Sequence, residues 1–129
     1  MHRWSSLVSA LDHVLDEVER DEARLSGLCV IAATRSQQIV VRRHETLGMD
    51  WVEFRCPLPF DGDPPAASDA LRLNAQLSIG ALCADSDGAL HLRHQTPTDG
   101  LTPERIVDLT RRLCVTASSL RQQPYQGGA

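Results

Sequence analysis

The chain has 129 residues, a formal net charge of −4, and 42% hydrophobic and 23% charged residues. That length suits one domain able to bury a core without metal or disulfide help, and the composition excludes disordered, collagenous and low-complexity classes. The acidic balance argues against nucleic acid as a partner. No apolar run approaches the ~20 residues that span a bilayer, and the first residues lead into no export signal, so a cytoplasmic location with no membrane contact is expected.

Leu7, Leu11, Val14 and Val18 recur at helical spacing, widened by Val8 and Leu15, and predict a first helix ending near Glu22. Ser5 or Ser6 is its candidate cap. Residues 28–33 form a short apolar run after Gly27 and read as a buried strand. Arg35-Ser36-Gln37 reads as a turn, and residues 38–44, with Ile39, Val40 and Val41, as a second strand. Residues 50–57 alternate, with Val52, Phe54 and Cys56 on one face and Trp51, Glu53 and Arg55 on the other, as in an antiparallel strand with one wet face.

Four prolines, a glycine and two aspartates make 57–67 a loop. Ser68 is the expected cap of a second helix over 69–77. Ala70, Leu73 and Leu77 share one of its faces and Leu71 and Ala75 another, the pattern of a helix covered on two sides, the second by a partner subunit. Residues 79–85 and 89–95 read as strands joined by a tight turn at Asp85-Ser86-Asp87-Gly88, with Leu90 and Leu92 inward and His91 and Arg93 outward. Thr102-Pro103-Glu104 is a complete helix start, and Ile106, Leu109, Leu113, Ala117 and Leu120 carry the stripe to about Gln123. The expectation is one domain over 1–123 and a tail over 124–129. The order is α-β-β-β-α-β-β-α: an α+β fold, a five-stranded antiparallel sheet with helices mainly on one face.

Chemistry-bearing motifs are sparse. Cys29, Cys56, Cys83 and Cys114 contain no Cys-x-x-Cys pair, and three of them sit among aliphatic residues, so they read as small buried hydrophobes. All thirteen basic residues are Arg, which removes any lysine nucleophile. His91 and His94 fall on opposite faces of a strand and cannot share a metal, and His13 reads as part of a solvated helix face. Asp85-x-Asp87-Gly88 has Thr96 where a calcium loop needs glutamate. No nucleophile elbow or phosphate-binding glycine loop occurs. No metal, cofactor or catalytic residue is expected. Trp51, on the strand face opposite Val52, is the side chain that stands out as an interface anchor, its alternative place being under the 57–67 loop. Asn74, unusual inside a helix, reads first as capping a neighbouring backbone and otherwise as touching a partner.

Leu71-Arg72-Leu73-Asn74-Ala75, Gly80, then 85–92 and Leu101-Thr102-Pro103-Glu104 resemble the C-terminal half of the YbjN-domain and type III secretion chaperone-like families. The residue-level likeness covers about 70–121, and the element order covers the rest. The loop 57–67 and Thr96-Pro97 depart from the pattern. The resemblance implies a bacterial, cytoplasmic, non-enzymatic protein that works as a homodimer through the second helix, at Leu71, Asn74 and Ala75. It implies either a chaperone-like grip on a segment of a client polypeptide or a YbjN-type adaptor that binds a folded partner. Trp51, Glu53 and Arg55, with Leu7 and Leu11 of the first helix, are the candidate partner contacts.

Overall fold

The computed structural model describes residues 4–125. The elements are α1 (Trp4–Asp12), β1 (Asp16–Arg20), β2 (Arg24–Ala32), β3 (Arg35–Thr46), β4 (Met49–Pro57), α2 (Ala67–Gln76), β5 (Ala81–Ala84), β6 (Leu90–Pro97) and α3 (Pro103–Gln122). The strands form one antiparallel sheet in the order β1-β2-β3-β4-β6-β5. The α+β class and the three helices are as expected. The sheet has six strands rather than five.

The additional strand is β1, which lies where the first helix was expected to continue. Leu7 and Leu11 are wholly buried and Leu15 nearly so, as the stripe requires. The helix nevertheless stops at Asp12, and the amides of Val14 and Leu15 both donate to the Leu11 carbonyl. Ser5 and Ser6 lie inside its first turn rather than ahead of it. Beyond it, Val18 is the single apolar residue of a charged segment, so its spacing from Val14 fits a helix and its alternation fits a strand equally well. Pairing with β2 decides between them. Glu17 takes a φ of 50°, and the register slips between Asp16 and Glu19. Gly27 makes the crossing possible: a Cβ there would meet the Leu15 Cβ at 3.0 Å and the Asp16 carbonyl at 3.1 Å. Expected ahead of the first strand, Gly27 lies inside β2 at a close backbone approach.

The registers sort the sheet into two faces. Leu25, Cys29, Ile39, Val41, Val52, Phe54, Cys56, Leu82 and Leu92 point to the covered face. Ile106, Leu113, Cys114 and Ala117 of α3 press on them, each with no exposed surface, and α1 packs beside α3. Each such aliphatic or aromatic side chain contributes roughly 1.5–3 kcal/mol by leaving water. Helix α3 begins as expected: Thr102 accepts the Arg105 amide at 3.1 Å, with Pro103 at the first turn. All four cysteines are free thiols, three of them buried and Cys83 half-buried. Contact with Cys114 and burial push the Cys29 thiol pKa far up.

The proline-rich segment is pinned rather than loose. The turn before β3 falls at 33–34, so Gln37 belongs to the strand and is wholly buried. Its Nε2 donates to the Pro57 carbonyl at 2.8 Å, and its Oε1 accepts from Arg121 Nη1 at 3.0 Å. Arg121 Nε also donates to the Pro59 carbonyl at 3.2 Å. Phe60 meets Tyr125 edge to face at 5.8 Å. Of the expected tail, 126–129 lie outside the described residues. Helix α2 starts at Ala67 after Ala66, with no side-chain cap, so Ser68 is a helical residue and not the cap. The turn at Asp85 forms as expected, with Gly88 at φ 86° and its amide donating to the Asp85 carbonyl at 2.9 Å.

Candidate functional site

The helices leave the other sheet face to solvent, and three of the expected partner contacts stand there. Trp51, Glu53 and Arg55 alternate outward along β4. Trp51 faces His44 and Pro97 across its neighbours, at the opposite end of β4 from the proline-rich loop, and is partly exposed. Leu7 and Leu11 are placed differently. Both have no exposed surface, because α1 turns its whole apolar stripe into the core, so neither is available to a partner in the folded chain.

Glu53 is the unusual member of the face. A carboxylate on the solvent side of a sheet is expected to be wet, yet only 4% of Glu53 is exposed. Three arginines close over it. Arg93 donates to Oε2 through Nε at 3.1 Å and Nη2 at 2.8 Å. Arg42 Nη2 lies 3.5 Å from Oε2, and Arg55 Nη2 lies 3.4 Å from Oε1. Register explains the convergence. Glu53 stands opposite Arg42 on β3, and Arg55 stands opposite Arg93 on β6, so the four side chains meet on one patch of pleat. Burial alone would raise the Glu53 pKa, but the Arg93 hydrogen bonds and the charges of Arg93, Arg42 and Arg55 hold it below the ordinary value.

His91 lies next to this cluster, opposite Cys83 and Pro57, and only 5% of it is exposed. Asp85 Oδ1 sits 3.1 Å from Nδ1 but off the line of a hydrogen bond, so neither buried ring nitrogen has a hydrogen-bond partner among the described residues. Burial first, and then the Arg55 charge, lower its pKa. His94 points to the covered face against Phe54, so the two histidines are separated as the strand spacing requires. No group of three metal-binding side chains occurs among the described residues.

The sheet edges decide how a polypeptide could approach. At β5, Asn74 of α2 donates to the Leu82 carbonyl at 3.2 Å and accepts the Leu82 amide. Its side chain thus stands in for a neighbouring strand, a fuller version of the expected backbone cap. At the other edge β1 is short, charged and bulged, features that discourage strand addition. Beside Asn74, Leu71 is 72% exposed and Ala75 is exposed, while Ala70, Leu73 and Leu77 pack on the core.

Sequence reasoning missed two parts of the surface. Arg42 was not among the expected partner contacts, although its placement two strand positions from Val40 puts it outward beside Glu53. The tip of the β3–β4 hairpin was passed over as well. Leu47 takes a φ of 55° there and is 97% exposed, with Met49 47% exposed beside it. A bulky residue in the left-handed region, where Asn or Gly is the usual choice, is strained.

Residues 9–119 match the profile of the YbjN family, described as "Putative bacterial sensory transduction regulator". No curated protein matches the chain.

Proposed function

The chain belongs to the YbjN family, and from that premise we propose that it is a non-enzymatic regulatory adaptor that offers the open face of its sheet to a folded protein partner. The observation that carries this reading is the surface around Trp51: an aromatic ring and a cluster of arginines beside an apolar hairpin tip. Trp and Arg dominate binding hot spots because they combine large contact area with directional polar groups. The reading gives the protein a cytoplasmic place and no cofactor.

A chaperone-like grip on an extended client by strand addition has less support. It needs an open edge, and Asn74 occupies one while a bulged, charged strand forms the other. A homodimer through α2 is favoured by Leu71 and Ala75, which are turned to solvent while the opposite side of the helix packs on the core. Leu71→Asp is expected to convert such a dimer to a monomer in sedimentation equilibrium, and a chain that sediments as a monomer before substitution overturns this part.

The test of the adaptor reading is capture from the native host by the tagged protein, with Trp51→Ala and Leu47→Asp beside it. We expect a folded protein partner with the native sequence and its loss in both variants, with thermal unfolding of Trp51→Ala little changed. Equal recovery by Trp51→Ala would sink the proposed face. Recovery of an unfolded client bound through a short segment would favour the chaperone reading instead.

A further inference from the structure

Resting on the adaptor reading, we propose that the partner segment is acidic, with carboxylates beside apolar side chains, and that Arg42, Arg55 and Arg93 are its recognition site. The chain as a whole carries a charge of −4, so a basic surface on it is a segregated feature. At the middle of the open face three guanidinium groups meet the Glu53 carboxylate and, at its margin, Asp85, which leaves one positive charge over. The acidic groups of this face besides Glu53 lie at its margins: Asp16 and Glu19 on β1, opposite Leu28 and Ser26, and Asp85 on the β5–β6 turn, 3.8 Å from Arg55.

Glu53 does not use up these arginines. Its two oxygens engage one end of Arg42 and of Arg55, and the three side chains remain 51%, 42% and 36% exposed. The exposed portions of the three guanidinium groups face solvent, whereas Arg55 Nε is buried and takes no part in an outside contact. The buried carboxylate thus orients the planar groups in advance and leaves donors for a second set of carboxylates. Preorganisation of this kind lowers the entropy cost of binding. The same face supplies apolar contacts: Val40 stands directly opposite Arg55, and Trp51 lies two positions from Glu53. An acidic and apolar polypeptide matches both. A nucleic acid would need a longer cationic track, and the acidic strand β1 closes the far side of this one.

The test is a fluorescence titration with poly-L-glutamate in a Trp4→Phe background, which leaves Trp51 as the sole reporter. A saturable change in Trp51 emission is expected. Its apparent affinity should fall about tenfold between about 20 and about 200 mM salt. Arg42→Gln should weaken it about fivefold or more, roughly the loss of one charge-assisted contact. Arg112→Gln, on the far side of the molecule, should leave it unchanged. No saturable binding, equal binding by the two variants, or tighter binding of an oligothymidylate overturns the inference. Capture from the host separates its failure from that of the adaptor reading. A partner retained in full by Arg42→Gln but lost in Trp51→Ala leaves an adaptor without acidic recognition. No partner for the native chain removes the adaptor itself.

Discussion

Replacing Glu53 by Gln keeps the shape of the side chain and removes the one negative charge that three arginines share. The native carboxylate accepts two hydrogen bonds from Arg93, at 3.1 and 2.8 Å, and lies within 3.5 Å of Arg42 and Arg55. Disrupting a buried ion pair costs about 3–5 kcal/mol when the survivor stays buried. Here the survivors are 36–51% exposed and recover water, which moves the cost toward that of a charged hydrogen bond. The expected loss is about 2–3 kcal/mol at neutral pH, or roughly 8–12 °C in Tm for a chain of this size.

The loss also has a pH signature. The Glu53 pKa is held below its ordinary 4.5, so its stabilisation is complete above that value and disappears as pH falls through the native-state value. His91 and His94, whose pKa values burial lowers from 6.5, erode stability as pH drops below 6.5 in both chains, and His91 does so more in the variant, because the Glu53 charge raises its pKa in the native chain. Glu53 protonates only below its ordinary 4.5, so the narrowing of the gap between the two chains in that range reports Glu53 itself. Urea unfolding of both, followed by circular dichroism from neutral pH into acid, measures it. A gap below about 0.5 kcal/mol at neutral pH, within the scatter of ordinary surface substitutions, refutes the arginine cage as a structural element. So does a gap that fails to narrow in acid.

Three further outcomes are expected. Asn74→Ala strips the Leu82 amide and carbonyl of their partner, costs about 1–2 kcal/mol and speeds hydrogen exchange at Leu82; unchanged exchange there contradicts the edge-plug role. Gln37→Leu leaves Arg121 and the Pro57 carbonyl without their buried partner, so residues 58–66 should be cut faster by a nonspecific protease, and equal rates would show the loop to be held by other contacts. In the folded chain a thiol reagent should label Cys83 alone, with Cys29, Cys56 and Cys114 reacting only on unfolding; fast modification of more than one thiol contradicts the burial.

Where local pattern and tertiary environment agree, the sequence was a good guide. The alternation of β4, the Asp85 turn and the Thr102-Pro103 helix start are each specified by a few adjacent residues, and each forms as read. β1 was hidden because Val18 satisfies both periods, and only the strand beside it chooses between them. Leu7 and Leu11 show the limit of an apolar stripe: it says that a helix covers something, not whether the cover is its own sheet or another protein. At the candidate surface, Trp51, Glu53 and Arg55 came from one strand's alternation, whereas Arg42 and Arg93 join them through register. Register is set between residues far apart in the chain, as where Trp51 pairs with Pro97, and no local pattern encodes it.

The strand order also sets a timetable for synthesis. β6, which is seventh of the eight elements from β1 to α3, lies between β4 and β5, and α3 comes last and covers the middle strands. While the ribosome makes the first hundred residues, the β1–β4 meander can pair, yet Ile39, Val41, Val52 and Phe54 await the helix that will cover them. A nascent chain halted just before Thr102 would carry all six strands of its sheet and lack the helix that roofs their middle. Such arrested chains should depend on chaperones until α3 emerges, and C-terminal truncations should cost the cell more than equal losses elsewhere.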